Sequence, residues 1–368
     1  MSPSRILCVV GARPNFMKMA PIVHALARRP ERFATTLLHT GQHYDEAMSR
    51  VFFEELGMPR PDLDLNVGSG SHAAQTAAIM AAFEPAVLDT RPRLVIVVGD
   101  VNSTIACALV AVKIGVPVAH VEAGLRSCDR SMPEEINRLL TDQISEYLFT
   151  TERAGEENLL REGVAREKIH FVGNVMIDTL LAHRDRARAL EAPRRHGLEG
   201  RYGLMTLHRP ANVDDCGVFE KMMGAIAAIA RDVPLVFPVH PRTRPAIMRS
   251  EAARRLVEGG RVRLLDPLGY LEFVGLMEAS VVVLTDSGGI QEETTILGVP
   301  CLTLRDNTER PVTLTEGTNR LAGTRPESIL AAWASLNGTP PQPRVPPLWD
   351  GRAAQRIVEV LDRELTGR

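Results

Sequence analysis

Aromatic side chains are few in this sequence, two Trp, four Tyr and ten Phe in 368 residues, and no apolar run approaches the ~20 residues that a bilayer-spanning helix needs. Near the N-terminus only Ile6 to Val10 is apolar, so neither export nor anchoring is expected and the chain reads as cytoplasmic, with no membrane partner. An excess of one charge is also missing. The formal net charge is −2 and the short arginine-rich stretches are interrupted by acids, which leaves no footprint for nucleic acid. The five cysteines, Cys8, Cys107, Cys128, Cys216 and Cys301, show no C-x-x-C spacing, and three of them sit in apolar elements as small hydrophobes, so reduced thiols are expected. G-x-G-x-x-G, a Walker loop and H-E-x-x-H are all absent, which speaks against a dinucleotide cofactor, an ATPase site and a zinc site.

What is present is concentrated between Val281 and Pro311. Val281 to Thr285 is a continuous apolar run of the kind buried on both faces of a parallel sheet. It stops at Asp286-Ser287-Gly288-Gly289. A helical pattern follows from Ile290 to Leu297, closed by Gly298 and Pro300, and a second short strand starts at Cys301. The hydroxyl and the two glycines let bare backbone N–H groups at a helix N-terminus approach a phosphate. Glu292 and Glu293 offer acceptors for ribose hydroxyls, and Arg310 adds a guanidinium, so the unit suggests a nucleoside diphosphate site. A capped helix with a surface acidic pair would explain the same residues.

Similar strand-turn-helix units run through the chain, and 368 residues are enough for two domains with separate cores. Arg5 to Val10 ends at Gly11 and leads into a helix carrying Arg13 and Lys18. Lys18 supplies charge at a strand end or is a solvated helix lysine. Leu94 to Val98 ends at Gly99-Asp100; Asp100 stands at a carboxyl strand end or merely caps the next helix, which Asn102 or Ser103 could do without it. Val116 to Val121 ends directly at Glu122, a carboxylate leaving a buried strand, which needs compensation. Ser131-Met-Pro-Glu134 fits a capping box. The helix after it is expected to turn Ile136, Leu139, Leu140, Ile144 and Tyr147 inward and Glu134 and Arg138 to the opposite side. Two further strands deliver His208-Arg209 and His240 at their ends, and Phe273 precedes the stretch from Val281 to Pro311. Arg184 to Arg201 reads as a solvated helix end and loop.

The runs LTDSGGIQEE, G-x-P-x-L-x-x-R-D-x-TERP, HVEAGLR and P-E-E-x-N-R, in this order of chemistry and spread from Gly11 to about Gly323, resemble the non-hydrolysing UDP-N-acetylglucosamine 2-epimerases. The resemblance implies two doubly wound Rossmann-like α/β domains facing across a cleft, the GT-B type, with a C-terminal helix crossing back to the first. The expected bounds are residues 1–172 with about 351–368, and 173–350. It implies an isomerase with no cofactor and no metal, a UDP-sugar substrate and a homodimer. Asp100, Glu122, Glu134 and His208 would be catalytic. Arg13, Lys18, Arg138, Phe273, Ser287, Gly288, Gly289, Glu293 and Arg310 would bind substrate. Gln42, His43, Arg209 and His240 match a site for a second, activating UDP-N-acetylglucosamine, although Tyr44-Asp45-Glu46 departs from the family loop. Leu268 and Val312 are further departures, which leave another UDP-2-acetamido sugar open, and a hydrolysing epimerase, a GT-B glycosyltransferase and a nucleotide-sugar sensor remain as rivals.

Overall fold

The computed structural model describes residues 2–41, 54–336 and 344–366. Two compact units divide the chain, Met1–Ala182 together with Pro347–Arg368, and His183–Pro346. Each is built on its own sheet.

The sheet of the first unit contains β1 (Ser4–Val10), β2 (Phe33–His39), β3 (Leu63–Asp64), β4 (Leu94–Val98), β5 (Val118–Ala123), β6 (Tyr147–Thr150) and β7 (Ile169–Phe171). Their order is β3-β2-β1-β4-β5-β6-β7, and every pairing is parallel. Parallel strands joined by crossover helices are covered on both faces, which is why β4 reads LVIVV and is buried at every position. The order reverses direction between β1 and β4. At such a switch point the loops at the carboxyl ends diverge and open a crevice where α/β sheets bind ligands. Those two loops carry Gly11 and Gly99-Asp100.

β5 continues past the expected end at Val121. Its register against β6 shifts between Val121 and Ala123, and the residue at the irregularity, Glu122, has φ +73°. Glu122 thus sits in a bulge inside the strand, in a left-handed conformation that costs a residue with a Cβ on the order of 1–3 kcal/mol. The helix Ala353–Thr366 belongs to the same unit: the carboxylate of Asp178 accepts from Ala353 N and Ala354 N at 3.0 and 2.7 Å, and Trp349 Nε1 donates to Thr151 O at 2.9 Å.

The second unit repeats the plan with β8 (Gly203–Thr206), β9 (Leu235–Pro238), β10 (Val262–Leu265), β11 (Val282–Thr285), β12 (Cys301–Thr303) and β13 (Asn319–Leu321) in the order β10-β9-β8-β11-β12-β13. Its switch point lies between β8 and β11, which pair in parallel from Gly203 against Val282 to Thr206 against Thr285. The loops that diverge there carry His208 and Asp286-Ser287. The core beneath is apolar side chains of the helix Cys216–Asp232, including Phe219, Met222 and Ile226, packed on Phe237, Leu284 and Leu302. Arg184 and Arg188, expected in a solvated segment, both pair with Glu278 at 2.6 Å.

The helix after β11 runs from Gly288 to Leu297 and ends at Gly298 with φ +73°, as the Gly-x-Pro signal implied. Cys8, Cys107 and Cys301 are buried, and burial pushes the Cys8 and Cys301 thiols up to about 12. Among the described residues no helix is long and apolar enough to cross a membrane.

Candidate active site

At the switch point of the first unit, Gly11 and Ala12 donate their N–H groups to Asn15 Oδ1 at 3.2 and 3.0 Å, and Asn15 Nδ2 donates to Val98 O at 3.0 Å. One side chain therefore ties the turn after β1 to the end of β4. Gly11 has to lack a side chain, since a Cβ there would lie 2.1 Å from Ser103 Oγ. Gly99, at φ +68°, packs directly on an ion pair: its Cβ would meet Lys18 Nζ at 3.0 Å and Glu122 Oε2 at 3.3 Å. Lys18 and Glu122 are paired with only 8% and 2% of their side chains exposed, so Lys18 is not the solvated helix lysine that was the alternative. Their mutual charge compensates the burial of Glu122.

Asp100 pairs with Arg138, and Asn137 Nδ2 donates to Asp100 O at 2.9 Å. Arg138 also binds Glu135 at 2.7 Å, and Glu135 accepts from Ser127 N and Cys128 N at 3.0 and 2.9 Å. Burial acts to raise the Glu135 carboxyl, but these N–H groups and the Arg138 guanidinium hold it below the ordinary carboxylate range. The helix bearing Glu134 corrects the expected orientation. It spans Pro133–Ile144 and buries Glu135, Arg138, Thr141 and Asp142, whereas Leu140 is 52% exposed and Tyr147 lies in β6. Its polar face is inward because hydrogen-bonding partners await it there. The capping box is also absent: the N-cap is Met132, and Ser131 Oγ donates to Asp129 Oδ1 at 2.6 Å instead. Glu134 stands half-buried in the first turn. Neither Asn102 nor Ser103 caps its helix, whose N-cap is Val101; Ser103 Oγ shares a hydrogen with Thr40 Oγ1 at 2.7 Å and Asn102 Nδ2 donates to Gln75 Oε1 at 2.9 Å.

At the switch point of the second unit the organising group is Asp286, fully buried at the end of β11. It accepts from His208 N, Arg209 N and Asn212 Nδ2 at 3.1, 3.0 and 3.1 Å, and from His208 Nδ1 at 2.9 Å. Burial opposes ionisation of Asp286, yet His208 and the backbone donors keep its carboxyl below the usual value. A carboxylate on Nδ1 fixes the ring and leaves Nε2 for another partner. His240 stands beside it, with ring centroids 5.8 Å apart.

Next to Asp286, Ser287 is the N-cap of the Gly288–Leu297 helix but makes no side-chain cap, so its hydroxyl and the first N–H groups are not spent on each other. Behind them is a dense charge cluster. Arg310 Nε meets Glu292 Oε1 at 2.7 Å, Arg310 Nη1 meets Glu309 Oε1 at 3.0 Å, and Glu309 is also bound by Arg305 at 2.8 Å and Arg209 at 3.4 Å. Burial would raise the Glu309 carboxyl; Arg310, Arg305 and Arg209 hold it well below its ordinary value. Three guanidinium groups, balanced by Asp286, Glu292 and Glu309, converge beside a helix N-terminus, donors of the kind that bind a polyanion.

The acidic pair Glu292 and Glu293 is not on the surface, with 0% and 4% exposure. Glu292 is engaged by Arg310, and Glu293 Oε1 accepts from Tyr270 Oη at 2.9 Å. Phe273 lies half-buried in the first turn of the helix Tyr270–Ala279. Arg13 opens the helix Arg13–Ala27, and Gln42 and His43 lie outside the described residues.

The model of the UDP-N-acetylglucosamine 2-epimerase family matches residues 24–362. This chain belongs to that family. A UDP-N-acetylglucosamine 2-epimerase of Methanococcus maripaludis is 42% identical over 332 residues, 89% of this chain and 90% of that protein. A UDP-2,3-diacetamido-2,3-dideoxy-D-glucuronate 2-epimerase of Pseudomonas aeruginosa is 41% identical over 360 residues, 97% of this chain and 99% of that one. The crystal structure of the Methanocaldococcus jannaschii UDP-GlcNAc 2-epimerase in complex with UDP-GlcNAc and UDP matches with a TM-score of 0.91 at 40% identity, covering 98% of this chain and 99% of that one. The two Rossmann-like sheets are therefore those of a GT-B type epimerase. Four residues given no role from the sequence, Asp286, Glu309, Arg305 and Glu135, hold expected site residues or one another in place. Asp286 at the end of β11 and Glu135 in a helix first turn carry a positional signal that could have found them, whereas Arg305 and Glu309 lie in the loop after β12 and carry none.

Proposed function

We propose that this chain inverts carbon 2 of UDP-N-acetylglucosamine to give UDP-N-acetylmannosamine without net hydrolysis. The observation that carries the reading is the division of labour at the two switch points, carboxylates at one and an anion-binding cluster at the other. The carbon 2 hydrogen is barely acidic and no redox cofactor is invoked, so elimination provides the path. A base takes that proton while the C1–O bond breaks and its electron pair leaves with UDP, giving a 2-acetamidoglucal. Protonation on the other face and return of UDP at carbon 1 give the epimer. Asp100, Glu122 and Glu134 supply acid and base, with Lys18 and Arg138 beside the first two. His208, Ser287, Gly288, Gly289 and Arg310 hold the departing diphosphate, with Arg13 as a further contact, and Phe273 and Glu293 take the nucleoside. Arg209 and His240, beside His208, are the described part of the activator site, completed by Gln42 and His43.

Proton NMR in deuterated water with UDP-N-acetylglucosamine tests this. UDP-N-acetylmannosamine deuterated at carbon 2 is the expected product; free UDP with free N-acetylmannosamine would make the chain a hydrolysing epimerase. The second reading is the same chemistry on a UDP-2,3-diacetamido-uronic acid, favoured by the P. aeruginosa relative, which is as similar to this chain as the N-acetylglucosamine enzymes. Turnover of that sugar with no change in UDP-N-acetylglucosamine would decide for it.

A further inference from the structure

Beneath the acid-bearing loops of the first unit lies a buried polar pair that the chemistry above does not use. His120 in β5 is 0% exposed. Its Nδ1 is 2.6 Å from Asp142 Oδ1 and its Nε2 is 2.8 Å from Gly99 O. The ring thus bridges a carboxylate on one nitrogen and a backbone carbonyl on the other. Asp142, also buried, lies on the helix Pro133–Ile144; its second oxygen accepts from Gly124 N at 3.1 Å and meets Arg126 at 2.7 Å, and Arg126 goes on to Glu162 at 2.6 Å. Burial works against the Asp142 carboxylate, and His120 and Arg126 outweigh it, holding the group below its usual range.

Two ends of this chain of hydrogen bonds, Gly99 and Gly124, lie one and two residues from Asp100 and Glu122, which are assigned to proton transfer. Gly99 precedes Asp100 and packs on the Lys18–Glu122 pair. Gly124, at φ +79°, closes the bulge that holds Glu122, and it too has no room to move: a Cβ there would lie 2.3 Å from Gly155 O. The helix that supplies Asp142 also supplies Glu134 and Arg138, the partner of Asp100. One buried carboxylate thus connects the β4 turn, the β5 bulge and the helix.

We propose that His120 and Asp142 are positioning residues that set the spacing of Asp100, Glu122 and Glu134. The proposal rests on the reading of those three acids as the acid/base group. A buried network of this kind is favoured only when fully satisfied, which makes its geometry stiff. A displacement of about 1 Å in a reacting group can cost on the order of a hundredfold in rate.

The series His120→Phe and Asp142→Asn separates positioning from mere fold support. Phenylalanine fills the ring's space but releases Gly99 O. Asparagine can still accept from Gly124 N and donate to a neutral His120 Nδ1, so the link to Gly99 survives. His120→Phe is expected to lower kcat by about thirtyfold to a hundredfold, with KM within threefold and the pH limbs of kcat displaced. Asp142→Asn is expected to retain at least about ten times more activity than His120→Phe. Hydrogen–deuterium exchange of residues 99–104 reads the device without turnover: faster exchange in folded His120→Phe, judged by its thermal melt, and slower exchange restored in Asp142→Asn. Wild-type kcat, pH profile and exchange in His120→Phe would overturn the proposal. So would a change in KM alone. A wild type that turns over no UDP-sugar, with exchange still responding to His120→Phe, would instead retire the acid/base reading and keep the structural link.

Discussion

Tyr270 donates its phenolic hydrogen to Glu293 at 2.9 Å inside the second unit, a contact between the first turn of one helix and the middle of the next. Burial pushes the Glu293 carboxyl up to about 8 from 4.5; the Tyr270 bond lowers it and the neighbouring Glu292 raises it further. Between these two values the folded chain keeps a proton that the unfolded chain has released, so folding takes up a proton and stability falls as pH rises through that window. Glu293→Gln is expected to flatten that part of the stability profile. Urea unfolding at pH 5 and pH 8 checks it, and equal slopes in the two proteins would refute the assignment.

Arg310 and Glu292 make a second test, because removing one member of a buried pair strands the other. Arg310→Met is expected to cost about 3–5 kcal/mol of stability, and adding Glu292→Met to recover much of it. Affinity for UDP should not recover in the double variant if Arg310 is, as proposed, the cation that meets the diphosphate. Chemical denaturation and titration calorimetry with UDP read the two effects separately.

A smaller change concerns Cys128, exposed and held at φ +58° while its N–H donates to Glu135. Cys128→Gly keeps that hydrogen bond and removes the Cβ from a left-handed conformation. A gain of about 1 kcal/mol is expected, offset in part by the greater freedom of glycine when unfolded. Comparison of thermal melts would show it, and a lower melting temperature would count against strain at this position.

Gly288 gives the last test. A methyl there would lie 2.9 Å from Arg310 Nη1 and from Glu309 Oε1. Gly288→Ala is expected to weaken UDP by at least about tenfold, or about 1.4 kcal/mol, and to lower the melting temperature as well, because the methyl displaces the buried Arg310–Glu309 pair. Unchanged affinity would remove Gly288 from the binding group.

Strand positions were legible because a parallel sheet covered on both faces needs unbroken apolar runs; Leu94–Val98 was bounded to the residue. The carboxyl-end locations of Asp100, His208 and Ser287 followed from those runs. Three things were not legible. The bulge at Glu122 depends on register against β6, a neighbour that local pattern does not identify. The helix Pro133–Ile144 turns its polar side inward because Ser127, Cys128 and Gly124 offer donors from another segment, and amphipathic projection assumes that apolar residues face the core. For Glu292 and Glu293 a surface acidic pair stayed open beside the ribose-binding reading, because their partners Arg310 and Tyr270 lie in other segments.

The last helix of the first unit follows the whole of the second in the chain, since Pro347–Arg368 joins Met1–Ala182 and His183–Pro346 lies between them. On the ribosome the second unit is therefore a complete, contiguous stretch before Asp178 can receive the N–H groups of Ala353 and Ala354. Synthesis imposes an order: the unit His183–Pro346 can finish folding first, and the unit that bears Asp100 and Glu122 waits for its final helix.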